Sequence, residues 1–296
     1  MAPKHAQPVR KPQRESRASS VTSWLVAALL LFWVLAPLYL AVVLSIKPRT
    51  QFFRGGQIPF LDFAPTLDHW RIEFAFFWYG PGMGPALVNS VFVGVLAVLA
   101  ATIMGGLAAY GLLRLGPRQI GPRRFALLLL FLLLPRLIPP ITVAMPFTRV
   151  MQALHWYDTR FALWTAHTTL LLPWALVILY SAMLDLSPEI LEAAQLDGCS
   201  DLHTLLVIVA PLIMAPLLAT MAICMAFSWN EYPFAVLNAG SHMTTVPVAV
   251  AFLFTKDGIE FEFVGSHLLL AMLPPMLLAL GARRFVTRAL SLGTTR

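Results

Sequence analysis

Charge is scarce in this chain, and acid is scarcer still. Asp, Glu, Lys and Arg make up 12% of its 296 residues, only 14 of them acidic, against 58% hydrophobic residues. A soluble domain of that composition would leave large apolar patches in water, so that class is excluded. Cysteine is nearly absent. Cys199 falls in a polar loop and Cys224 in an apolar run, so both read as free thiols. The seven histidines form no H-x3-H pair and none neighbours a cysteine, which argues against a metal site. The phosphate-binding pattern G-x4-G-K-S/T is missing too, so any ATP-driven work would draw on another chain. Carboxylates are missing from the long apolar runs, whose ionisable residues are Arg136, His167 and His267. A membrane enzyme would need paired acids, a nucleophile with its base, or metal ligands there. A secondary carrier would show internal repeats and intramembrane ion sites, and neither is visible.

Apolar runs of about twenty residues, each enough to cross a hydrocarbon core, fill the space instead. Runs of that length exclude a β-barrel and predict an all-α, polytopic membrane protein with six transmembrane helices. The spans are expected near 23–46, 86–113, 125–150, 161–183, 205–227 and 264–280. Residues 1–20, with Lys4, Arg10, Lys11, Arg14 and Arg17 among Pro, Gln and Ser, read as a disordered basic tail, and 21–296 as one transmembrane domain. Six spans put both termini on one side. Thirteen of the 21 basic residues then share that side, which makes it cytoplasmic by the positive-inside bias. The same flanking Lys and Arg account for the net charge of +7 with lipid, rather than nucleic acid, as the partner.

Inside the spans, Gly105, Gly106 and the small residues of LAAYGL permit close helix approach. Pro135, Pro139, Pro140 and Pro146 break the third span, which should therefore lie inside the bundle. Arg136 there either serves function or snorkels to the surface. His167 either lines a polar path or bonds a neighbouring helix. With Asn230 and Glu231, in an interfacial break at Trp229–Tyr232, these residues form the candidate pathway. The outer loop, about 229–263, holds a turn from Asn238 through Ala239, Gly240, Ser241 and His242 to Thr245. It is small, polar and without an apolar face to fold it onto the bundle. Val246–Phe254 is too short to span and should be re-entrant or packed on the bundle.

One loop, about 187–203, stands apart. Ser187 and Pro188 make a helix start, with Glu189 at the favourable end of the dipole. Gly198 can end that helix in a left-handed conformation, and Ser200–Asp201 can cap a second. The product is a helix, a break and a helix outside the bilayer, with small residues beside Glu192 and Asp197 and no Lys or Arg. Such a surface suits a partner with a basic rim.

Glu192, Ala193, Ala194 and, four residues on, Gly198, then Ile208 and Pro211, resemble the coupling motif of bacterial ABC importer permeases. LAAYGLLR, RLIPPITVAMPF, L-x2-YDT, WNEYPFAVLNAG, TTVPVAV and RRFVTRALSLG follow the order found in carbohydrate permeases of the maltose-uptake type. The resemblance is to the smaller, six-span subunit and covers roughly 20–293. It departs from the pattern at Ser187, often proline, and at Leu191, often a second acid. It implies a type I ABC importer permease for a sugar or sugar alcohol in the bacterial cytoplasmic (inner) membrane. A polyamine or phosphonate is the alternative cargo. Implied partners are a second permease, a homodimeric ABC ATPase that uses ATP and Mg, and an extracytoplasmic sugar-binding protein. This chain would be no enzyme and bind no cofactor. Glu192, Ala193, Ala194, Asp197 and Gly198 would couple to the ATPase, and Asn238–His242 would reach the binding protein. The end of the chain, Arg288–Arg296, would also touch the ATPase.

Overall fold

Small side chains decide which helices meet. A Cβ on Gly105 of α3 (Gly84–Ile120) would lie 2.8 Å from the Ala175 Cβ of α6 (Arg160–Leu184), so only glycine lets the two helices close here. Around that contact Ala97, Val98 and Ala101 pack on Leu171, Ala175 and Cys224. Further along, Ala109 and Tyr110 pack on Leu179, Met183 and Leu205. This α3–α6 seam is the core. The computed structural model describes residues 17–79, 82–240, 242–255, 258–259 and 261–293.

α1 (Arg17–Ile46) starts inside the expected tail, so residues 17–20 are helical, and residues 1–16 lie outside the described set. Most of α1, including Leu29, Phe32 and Trp33, is exposed, and only its end is covered. There it meets α13 (Phe261–Gly293) at Gly265, where a Cβ would sit 2.2 Å from the Ser45 nitrogen. Between them stands α2 (Asp68–Phe76), a short helix inside what the sequence presents as a loop.

By length and apolarity, four helices among the described residues qualify as spans: Thr22–Ile46, Gly84–Gly116, Arg160–Leu184 and Phe263–Gly281. The expected third span is divided instead, into α4 (Pro122–Leu137, 16 residues) and α5 (Pro140–Ala153, 14 residues). Ile138, forced out of helical geometry by the proline that follows, is extended at φ −93° and ψ 131°.

The fifth span also differs. α7 (Pro188–Leu196) is followed by a continuous helical rod, α8 (Asp201–His203), a π turn (Thr204–Val209) and α9 (Ala210–Leu212). The rod meets α10 (Met214–Trp229) at a bend of 85°. Pro211 has no N–H for the Val207 carbonyl and Pro216 none for Leu212, so the helical ladder fails on both sides of Ile213. Counting the bent pair as one span gives five.

Beyond α10 come α11 (Pro233–Asn238) and α12 (Val246–Phe252). Val246 packs on Met83, Ala86 and Trp229, and Val248 on Val93, Leu163 and Ala235, so the short apolar stretch lies on the bundle. Trp229, expected in an interfacial break, is buried and donates its indole N–H to the Ala271 carbonyl at 3.1 Å. Two minimal strands, β1 (Phe254–Thr255) and β2 (Gly258–Ile259), pair antiparallel before α13.

Candidate functional site: a coupling face, a polar cleft and a clamped turn

α7 closes one end of the bundle. Its start is set by Pro188 and Glu189, and the Ser187 hydroxyl makes no capping bond, contrary to its expected role. Its end is the expected one: Gly198 sits at φ +76°, and the Ser200 hydroxyl then accepts the His203 N–H at 3.3 Å. Glu192, Ala193, Asp197 and Gly198 are exposed, and Leu196 stands 89% exposed among them. Ala194 faces the other way. It is buried, and Leu191 packs beside it on the Tyr110–Leu179–Met183 cluster, so Ala194 brings α7 close to its own bundle rather than to a partner. Leucine where an acid was expected thus has a packing reason. A polar strap reinforces the contact. Arg114, at the end of the LAAYGLLR run, lies 3.1 Å from the Asp201 carboxylate, and the Gln195 amide oxygen accepts from the same guanidinium.

Three of the four pathway candidates converge at the other end of the core. His167 of α6, Ser228, Asn230 and Glu231 line a cleft of about 150 Å3 together with Pro140, Trp174 and Phe227. His167 Nδ1 lies 2.7 Å from Ser228 Oγ, which makes it an interhelical partner, and its Nε2 lies 3.5 Å from Glu231 Oε2. Glu231 is itself held, accepting the N–H groups of Phe234 and Ala235 at 2.8 and 3.0 Å. Trp174 and Phe227 stack 5.0 Å apart on the wall of the cleft. The threonines beside His167 do not contribute: the hydroxyls of Thr165, Thr168 and Thr169 donate to carbonyls one turn back in α6. Arg136 belongs to α4, and its side chain lies outside the described residues. So does Ser241 entirely, as do the side chains of residues 288–296.

The turn from Asn238 to Thr245 is not the free finger its composition suggests. Asn238 is fully buried at 0% exposure and Thr245 nearly so, while Ala239 is buried against the bundle. Backbone bonding overrides the missing apolar face: Asn89 Nδ2 donates to the carbonyls of His242 and Thr244 at 3.2 and 3.1 Å. Of the expected binding-protein residues, His242 is exposed and Gly240 half-buried.

One buried pair escaped the sequence. Glu73 of α2 and His267 of α13 meet at 3.0 Å, both essentially without solvent exposure. Glu73 also accepts the Met83 N–H and the Ser266 hydroxyl, each at 3.1 Å. One turn before it, His69 Nε2 contacts the Lys47 carbonyl at 2.7 Å, and the buried Lys47 ammonium donates to the carbonyls of Arg54 and Gly56. The i, i+4 spacing of His69 and Glu73 on α2 was the available signal. Glu73→Ala should leave His267 and the Met83 N–H without their partner, with Ser266 keeping the Phe263 carbonyl, and cost about 3–5 kcal/mol. A drop in the apparent melting temperature of the purified chain checks this, with Glu73→Gln expected to fall between the two. Among the described residues no three His, Cys, Asp or Glu side chains come together as a metal site, and Cys199 and Cys224 are free thiols.

Known proteins place this architecture. The melibiose/raffinose/stachyose import permease of Bacillus subtilis (strain 168) is 28% identical over 264 residues, 88% of this chain and 91% of that one. An inner membrane ABC transporter permease of Escherichia coli (strain K12) is 30% identical over 274 residues, 90% and 92% of the two chains. Among solved structures, a bacterial ABC transporter involved in import of the acidic polysaccharide alginate shares the fold, with a TM-score of 0.68 and 19% identity over 94% of this chain and 99% of that one. A family model described as "binding-protein-dependent transport system inner membrane component" matches residues 98–291, and the chain belongs to that family.

Proposed function

We propose that this chain is the permease subunit of an ATP-driven ABC importer for a sugar or sugar alcohol. The observation that carries the reading is the exposed face of α7, with Glu192, Ala193, Asp197 and the left-handed Gly198 presented beyond the bundle. That face docks on a homodimeric cytoplasmic ATPase, which binds the ATP and Mg; this chain binds neither. Movement of α7 passes to α3 through Gln195 on Arg114 and to the core through Leu191 and Ala194. A second permease completes the translocation path, to which this chain contributes His167, Asn230, Glu231 and Arg136. An extracytoplasmic binding protein delivers the cargo to the turn at Asn238–His242. The import permease of Bacillus subtilis, named for three oligosaccharides, supports sugar over polyamine or phosphonate.

Reconstitution of the whole complex tests the cargo. ATP-dependent uptake of labelled raffinose or melibiose is the expected result; uptake of putrescine or a phosphonate alone would replace sugar with the alternative class. The proposed membrane is the bacterial cytoplasmic one, with both termini inside. In a background lacking Cys199, cysteines at Ser16 and Thr294 should react only with membrane-permeant reagents, and one at Ser241 with impermeant ones. Labelling of Ser16 and Ser241 from the same side overturns this topology.

A further inference from the structure

The turn at 238–246 is held from both sides by side chains of distant elements, and one of them is Asp158. This residue stands between α5 and α6 at φ +55°, a conformation uncommon for a residue with a side chain. Its own N–H donates to the Asn238 carbonyl at 3.2 Å. Its carboxylate then gathers three backbone N–H groups: Gly240 at 2.8 Å and Met243 at 2.9 Å on Oδ1, and His242 at 3.2 Å on Oδ2. The fit depends on the glycine. A Cβ on residue 240 would lie 2.7 Å from Oδ2 and 2.8 Å from Cγ of Asp158. On the opposite side Asn89 takes the carbonyls of His242 and Thr244, and the Ser90 hydroxyl accepts the Val246 N–H at 2.9 Å. Among the described residues, the backbone groups of the turn thus bonded need no further ordering when a partner arrives.

We propose that Asp158 is a positioning residue that fixes Gly240, His242 and Met243 in one preformed arrangement, so that the binding protein meets a turn already ordered. The docking half of this proposal rests on the importer reading above. A carboxylate is suited to the task because an ionised acceptor makes stronger bonds to N–H groups than a neutral one, and three converge on it. Preforming the turn removes an ordering cost from association without adding a contact. Its loss should therefore weaken docking and leave the later steps largely intact. The effect belongs in the concentration of binding protein needed, not in the maximal rate.

The experiment uses the reconstituted complex carrying Asp158→Ala, Asp158→Asn or Gly240→Ala. Amide hydrogen exchange of the 239–246 backbone is measured without binding protein, and ATP hydrolysis is followed against the concentration of sugar-loaded binding protein. Asp158→Ala should speed exchange and raise the half-saturating concentration about tenfold, with the maximal rate within about twofold of wild type. Gly240→Ala, which pushes the carboxylate away from its place, should speed exchange in the same way. Asp158→Asn keeps one acceptor oxygen and should lie between, which guards against a variant that fails to fold. Unchanged exchange in Asp158→Ala overturns the clamp. Faster exchange with an unmoved half-saturation overturns the positioning role. A wild-type complex whose ATP hydrolysis ignores the binding protein overturns the importer reading and the docking half with it, while the exchange measurement still decides the clamp.

Discussion

Glu192→Lys should abolish sugar-stimulated ATP hydrolysis and uptake while the chain continues to insert in the membrane. Glu192 is exposed in the middle of α7 and pairs with no basic side chain among the described residues, so its charge is available to a partner. The replacement sits opposite the buried Ala194 side of the helix, and α7 itself tolerates lysine as a helix former. Folding is therefore spared. Docking on the proposed ATPase is not, because a like charge against the basic rim expected there costs several kcal/mol. At about 1.4 kcal/mol per tenfold, activity should fall by at least about a hundredfold. The check is ATP hydrolysis by the reconstituted complex beside an immunoblot of membrane fractions. Wild-type stimulation in this variant would remove α7 from the coupling face.

Gly265→Ala should produce a large loss of stability from a single added methyl. The new Cβ would meet Ser45 nitrogen at 2.2 Å, Ser45 Cα at 2.4 Å and the Leu44 carbonyl carbon at 2.5 Å. All three are backbone atoms, so no side chain can swing aside, and α1 and α13 must separate. Ser266 and His267 follow directly in the chain, and displacing them opens the Glu73 site that ties α2 to α13. Overpacking of an ordinary core costs about 1–3 kcal/mol, and loss of the buried pair adds to it. The variant should be scarce in membranes and melt well below wild type. Gly281→Ala is the control on the same helix, since nothing lies within 4 Å of its Cβ position and alanine favours the helix. Equal stability of the two variants would show that the α1–α13 contact is not as described.

Much of α7 was legible because its signals are local. Proline at the first turn, glycine in the left-handed region and Ser200 as the next cap act within a few residues of themselves. The long spans were legible for the same reason, since hydropathy needs no partner to be read. The failures all involve distance or competition. The prolines of the third span were visible, but whether they kink one helix or separate two depends on Ile138 and its surroundings. Ile213 carries no signal of its own; Pro211 and Pro216 disable the ladder from either side. The cleft brings His167 to residues more than 60 positions away, and the turn at Gly240 is bonded to an acid 82 positions before it. Composition reported that turn as free because its own side chains are small and polar. The bonds that hold it belong to its backbone, which looks alike in every sequence.

With its two arms set 85° apart, the segment from Asp201 to Trp229 has the shape of a bell crank pivoting at Ile213. The arm beside α7 has twelve residues and the arm reaching the cleft has sixteen, so they measure about 18 and 24 Å at 1.5 Å per residue. If the angle holds, each ångström of travel at Asp201 becomes about 1.3 Å at Trp229, turned through nearly a right angle. A push from below is thereby converted into a sideways sweep beside Ser228, with a gain fixed by nothing more than where two prolines fall in the chain.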